Sequence, residues 1–124
     1  MQLHSLVGGA AEIIGPEATL ASAAAGMIDE SVDYLAVVDG HSLVGIITER
    51  DLVLSICDGA DPEEEVVRDW MSEAPDTFAP NVMVREAAAW LLETGYRHLP
   101  VMAEGELLGI VGIRDLLWAL AQNA

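Results

Sequence analysis

Two aspartates carry the chemistry that this sequence can offer. Asp51 stands three residues after Thr48 in "GIITERDL", and Asp115 stands three residues after Gly112 in "GIVGIRDL". Each follows a run of β-forming residues and opens a helical pattern, so each carboxylate falls in the first turn of a helix. A carboxylate placed there can accept hydrogen bonds from two ribose hydroxyls, as the acidic residue of dinucleotide sites does. The helix N-terminus beside it offers unpaired N–H groups and the positive end of a dipole, which suit a phosphate. The same spacing also describes a capping box, with a hydroxyl at the N-cap and an acid at N3. Gly112 fits that account as well, because glycine is tolerated at an N-cap.

Other chemistry finds little support. His4, His41 and His98 lie in unlike contexts, Cys57 has no partner motif, and no spacing matches a metal site. Catalysis is not expected. The formal net charge is −16, with five arginines and no lysine. Nucleic acid and anionic membrane surfaces both need clustered cations, so neither is expected as a partner. A single cysteine forms no internal disulfide, no basic leader precedes an apolar run, and no segment approaches the ~20 apolar residues of a membrane span. A soluble, cytoplasmic protein is expected.

The elements that must position the aspartates are written twice. Sliding the chain by 64 residues aligns Pro16 with Pro80, Leu35 with Leu99, Val37 with Val101, Gly45 with Gly109 and Arg50-Asp51-Leu52 with Arg114-Asp115-Leu116. From Glu12/Asp76 to Leu52/Leu116 there are 12 identities in 41 ungapped pairs. Each copy reads as helix, strand, strand, helix behind a short extended lead-in. Leu20, Ala23, Ala24, Met27 and Ile28 repeat on one helical face, as do Val84, Ala87, Ala88, Leu91 and Leu92. Thr19 is a predicted N-cap and Gly95 a predicted C-terminal stop. "YLAVVD" and "HLPVMA" read as first strands, "LVGIIT" and "LLGIVG" as second strands, "ERDLVLSIC" and "IRDLLWALAQ" as closing helices. A two-stranded hairpin with its helices buries too little to stand alone. The reading is therefore an α+β (α/β) fold of two repeats, residues 1–60 and 61–124, the second including its lead-in. They are expected to pack through their small sheets about a pseudo-twofold axis, with clefts between them.

This pattern resembles a tandem pair of cystathionine-β-synthase-type (CBS) domains, a Bateman module. The residues that carry the resemblance are "GIITERDL", "GIVGIRDL", "GYRHLPV" at 95–101 and "VRDWMSEAPDTFAP" at 67–80. The resemblance implies an adenosyl ligand, AMP, ADP or ATP, with S-adenosylmethionine or NAD as further members of the class, and no required cofactor or metal. It maps the ribose-holding element to Thr48 and Asp51, and in the second copy to Asp115 with Gly112 at the hydroxyl position. Ile13, Ile14, Leu35 and Val37 are then candidates to sandwich the adenine. Arg97 and His98 are candidates for the phosphate, where the first copy has Asp33 and Tyr34. Arg50 and Arg114 are expected to pair with nearby acids. Trp70, Trp90 and Trp118 are expected in a core or an interface.

The functional expectation is a regulatory, nucleotide-sensing module that tunes an unidentified effector protein. The alternative is a structural dimerisation module whose sites have degenerated. A homodimer is expected, since Met27, Met83, Trp90, Leu91 and Leu92 offer more apolar helix surface than one small core requires. Ribose anchoring would make the Thr48–Asp51 site the principal one, with one dominant nucleotide per chain.

Overall fold

The predicted strands are dense in apolar β-formers, and apolar residues recur at helical spacing in the predicted helices. The computed structural model, which describes residues 1–8 and 11–122, follows that pattern closely. Its elements are β1 (Ile13–Ile14), α1 (Leu20–Glu30), β2 (Tyr34–Asp39), β3 (Ser42–Thr48), α2 (Glu49–Cys57), β4 (Ser72–Glu73), α3 (Val84–Thr94), β5 (His98–Ala103), β6 (Glu106–Gly112) and α4 (Ile113–Gln122). Short 3-10 turns occupy Leu3–Leu6 and Val67–Asp69. The result is a mixed α+β fold with four α-helices and two small sheets among the described residues. No helix among them is long and apolar enough to cross a membrane.

The predicted caps form. Thr19 accepts the Ser22 N–H at 3.1 Å and starts α1. Gly95, at φ 79°, closes α3 with its N–H donating to the Leu91 carbonyl. That left-handed position suits glycine because no Cβ opposes it.

The chain forms two compact units, Glu12–Pro75 and Met1–Ala11 joined with Asp76–Ala124. In the first, the sheet order is β1-β2-β3-β4, with β1 parallel to β2 and the remaining pairs antiparallel. Leu20, Ala23, Met27, Leu35, Val37, Ile47 and Val67 make its core. In the second, β5 and β6 form an antiparallel hairpin, and Leu3, Val84, Ala87, Leu91, Leu99, Val101, Val111, Leu116 and Ala119 make the core.

These units shift the boundaries expected at 1–60 and 61–124. The physical reason lies in the lead-in segments, each of which completes the other repeat. Leu3 is fully buried in the unit built around the second repeat, and Val67, its equivalent 64 residues on, is fully buried with the first. The bridges Gln2–Met83 and Val66–Thr19 repeat the same exchange. So do the bonds from Val84 N–H to the Met1 carbonyl at 2.9 Å and from Leu20 N–H to the Glu65 carbonyl at 3.0 Å. These bonds satisfy the first orphan donor of each helix with backbone from a distant segment.

Two matched glycines let the lead-ins approach the strands. A Cβ on Gly45 would meet Met71 Sδ at 2.6 Å and the Ser72 carbonyl at 2.7 Å. A Cβ on Gly109 would meet Val7 Cγ1 at 2.5 Å. The close approach at both glycines explains why "LVGI" and "LLGI" have a glycine in mid-strand, where it otherwise weakens a sheet.

Candidate functional site

At the end of β3 the chain turns directly into α2, and Thr48 is both the last strand residue and the helix N-cap. Its N–H donates to Asp51 Oδ2 at 2.8 Å, its hydroxyl donates to the same oxygen at 3.2 Å, and its Oγ1 accepts the Asp51 N–H at 3.4 Å. The capping box is complete. Asp51 is half-buried, and burial pushes its carboxyl above the ordinary aspartate value. Hydrogen bonds from the Thr48 backbone and hydroxyl, and the charge of Arg50, pull the other way with less effect. The second repeat builds half of the same device. Gly112 N–H donates to Asp115 Oδ2 at 2.8 Å, while glycine has no hydroxyl to take the Asp115 N–H, and Asp115 is exposed. In both copies the carboxylate is held by one oxygen, and Oδ1 has no partner among the described residues.

The residue before each first strand locks the junction. The Asp33 carbonyl accepts the Glu49 N–H, and the Arg97 carbonyl accepts the Ile113 N–H, both at 3.0 Å. Asp33 and Arg97 therefore lie against the N-termini of α2 and α4. His98 pairs with Gly112 across the hairpin, and a Cβ on Gly112 would lie 3.9 Å from His98 Cδ2 and 3.7 Å from Asp115 Oδ2. Arg97, His98 and Asp115 are thus gathered at one strand–helix junction, as Thr48 and Asp51 are at the other.

The apolar candidates divide by strand face. Tyr34 pairs with Thr48, Leu35 with Ile47 and Ala36 with Ile46, while Ile13 pairs with Ala36 and Ile14 with Val37. Paired residues share a face and faces alternate along a strand. Leu35 and Val37 are buried in the core, and Ile14 packs against it. These three cannot sandwich a base beside Thr48. Ile13, 60% exposed, is the one of the four that lies on the Thr48 face. Tyr34, Ala36 and Ile46 share that face, although Ala36 and Ile46 are themselves buried. The period of two, counted back from Thr48, selects them.

The expectation for the arginines changes, whereas Trp70 and Trp90 pack against the cores as expected. Neither Arg50 nor Arg114 forms an ion pair among the described residues; the pair observed joins Arg68 Nε to Glu17 Oε1 at 2.7 Å. Trp70 donates its Nε1–H to the Glu65 carboxylate at 2.9 Å, and Trp90 packs against its core between Phe78 and Tyr96. Trp118 is 57% exposed on α4.

The profile of the CBS domain matches residues 11–58 and again 67–122. This chain belongs to the CBS domain family. An uncharacterized 17.7 kDa protein of Acidianus ambivalens is 36% identical over 110 residues, which cover 87% of this chain and 66% of that protein. The chain spans less than two thirds of this and two other curated relatives, 39% and 30% of those two. The crystal structure of a CBS domain superposes with a TM-score of 0.92 at 26% identity, covering 98% of both chains. A CBS domain protein from Pyrobaculum aerophilum, solved as a complex with AMP, superposes with a TM-score of 0.87 at 21% identity, covering 98% of this chain and 99% of that one. At that identity the likeness is one of fold. The two CBS matches coincide with the two copies of the strand–helix junction.

Proposed function

We propose that this chain is a regulatory sensing module, not an enzyme, and that its strand–helix junctions bind adenosine-containing ligands of the AMP, ADP or ATP class. One observation carries the reading. Both repeats present an aspartate in the first turn of the closing helix, fixed through Oδ2 to the N–H of the last strand residue. The fixed carboxylate leaves Oδ1 to accept ribose hydroxyls, on a strand face that in the first repeat also carries the exposed Ile13 and the half-buried Tyr34. The AMP complex of a protein with the same fold supports the choice of ligand class.

A thermal-shift series with AMP, ADP, ATP, S-adenosylmethionine and NADH tests it. Binding to the native state alone raises Tm by mass action. At least one of these ligands should raise Tm in the parent and none in the Asp51→Asn/Asp115→Asn double variant. Asparagine keeps an acceptor for each cap while removing the charge. The completeness of the Thr48–Asp51 capping box favours a second reading, a structural module of the same fold. If no ligand raises Tm, that reading replaces the first.

We also propose a homodimer, formed through helix surface that the repeats present twice. Ile28 and Leu92, Val53 and Leu117, and Leu54 and Trp118 are three pairs 64 residues apart, and all six side chains are exposed. Met27 and Leu91 belong to the cores and drop out of the expected interface, and Trp90 packs against one of them. Met83 and Leu92 remain exposed.

A further inference from the structure

The two junctions share their backbone and differ in their charge. Asp33 and Arg97 occupy matched positions, each with its carbonyl bonded to the first N–H of the closing helix. Those N–H groups belong to Glu49 and Ile113, which are matched in turn. The first copy thus has two acidic residues at its strand–helix junction, Asp33 and Glu49, where the second has Arg97 and the uncharged Ile113. Arg50 and Arg114 are common to both and cancel from the comparison. Across the hairpin, Tyr34 faces Thr48 in the first copy where His98 faces Gly112 in the second.

Resting on the adenosyl-binding reading above, we propose that the two repeats sort adenosyl ligands by the charge on the 5′ substituent. The second repeat takes the mononucleotide. The first takes a phosphate-free adenosyl ligand, best one with a positive 5′ group such as a sulfonium. A ribose held by the first-turn carboxylate carries its 5′ substituent close to the helix N-terminus, so the residues there decide what it tolerates. A phosphate beside Asp33 and Glu49 meets like charge, which costs affinity and cannot be screened fully at short range. A sulfonium carried to a junction with two acidic residues is favoured by their charge instead. In the second copy Arg97 and His98 offer donors to a phosphate, and no side chain caps the Asp115 N–H. Burial already opposes the charged form of Asp51, which makes a second anion beside it less welcome. AMP therefore moves from the Thr48–Asp51 site, where ribose anchoring alone would put it, to the site of Asp115.

Calorimetry on the full chain with AMP, adenosine and S-adenosylmethionine separates the sites. Asp51→Asn should abolish binding of S-adenosylmethionine while leaving AMP unchanged. Asp115→Asn should do the reverse. Arg97→Gln, a change at an exposed residue that leaves folding intact, should weaken AMP on the order of tenfold and leave S-adenosylmethionine unaffected. Asp33→Asn should open the first site to AMP and raise its stoichiometry from one per chain to two. Added NaCl should weaken AMP and S-adenosylmethionine but not adenosine. If AMP follows Asp51 and ignores Arg97, sorting by charge is wrong and adenosyl sensing stands. If none of the three ligands binds the parent, sorting by charge falls, and the adenosyl reading falls with it only where ADP, ATP and NADH also leave Tm unchanged.

Discussion

Asp51 is held above the usual aspartate pKa because burial disfavours its charge more than Thr48 and Arg50 favour it. A carboxyl whose pKa is higher in the folded chain than in the unfolded one binds its proton more tightly when folded. The group therefore adds stability as pH falls through the raised pKa toward 3.8, and that contribution is lost as pH rises through it. Asp51→Asn removes the titration and keeps a cap acceptor. The Tm of the parent minus that of the variant should increase as pH drops from neutral toward about 4. A difference that stays flat across that window would show that the folded chain does not shift this carboxyl. At neutral pH the variant should lie within about 1 kcal/mol of the parent, the scale of a helix cap.

At the scale of elements, the mid-strand glycines make a graded prediction. Gly45→Ala pushes a methyl into the Ser72 carbonyl, which is backbone and cannot rotate away, and should cost roughly 1–3 kcal/mol. Gly109→Ala meets only the Val7 side chain, so Val7→Ala should restore part of its loss. Urea unfolding of the four variants tests this, and a double variant no better than Gly109→Ala would place the strain elsewhere. The exposed helix faces make another: Leu54→Glu/Trp118→Glu should convert a dimer to the 13.2 kDa species in sedimentation. A parent that already sediments at that mass at micromolar concentration has no such interface. Most of these elements were legible in the sequence. The strands "YLAVVD" and "HLPVMA" and the helix "ERDLVLSIC" match β2, β5 and α2 residue for residue, because local caps and apolar period define them. The site face was less legible. Hydrophobicity makes Leu35 and Val37 candidates for an adenine, and that same property takes them into the core. The exchange of Leu3 and Val67 left no local signal at all, since only contacts far along the chain reveal which repeat each one completes.

The whole molecule is an anion, with 21 acidic residues against five arginines. Its field repels each phosphate added to a ligand, while the few cations near the junctions are already engaged by the first. AMP or ADP should bind at least as tightly as ATP without magnesium, and added salt should narrow any gap between them. Calorimetry at low ionic strength that gives ATP a tenfold advantage over AMP would contradict this. The same self-repulsion predicts that Tm rises as NaCl screens it.

The exchanged lead-ins also set an order of events during synthesis. Residues 12–75 form a contiguous unit, so every partner they need has been made once Pro75 has left the ribosome. Residues 1–8 emerge earlier yet find their partners, Pro80, Val82, Met83 and Val84, only some 80 residues later. Until then Leu3 and Val7 travel with apolar surface uncovered, and the loop that must close over them is the whole first repeat. These residues are made well before the segment that covers them. Slow translation of the stretch that follows Pro75 would prolong that exposure, even where the first unit has already emerged complete.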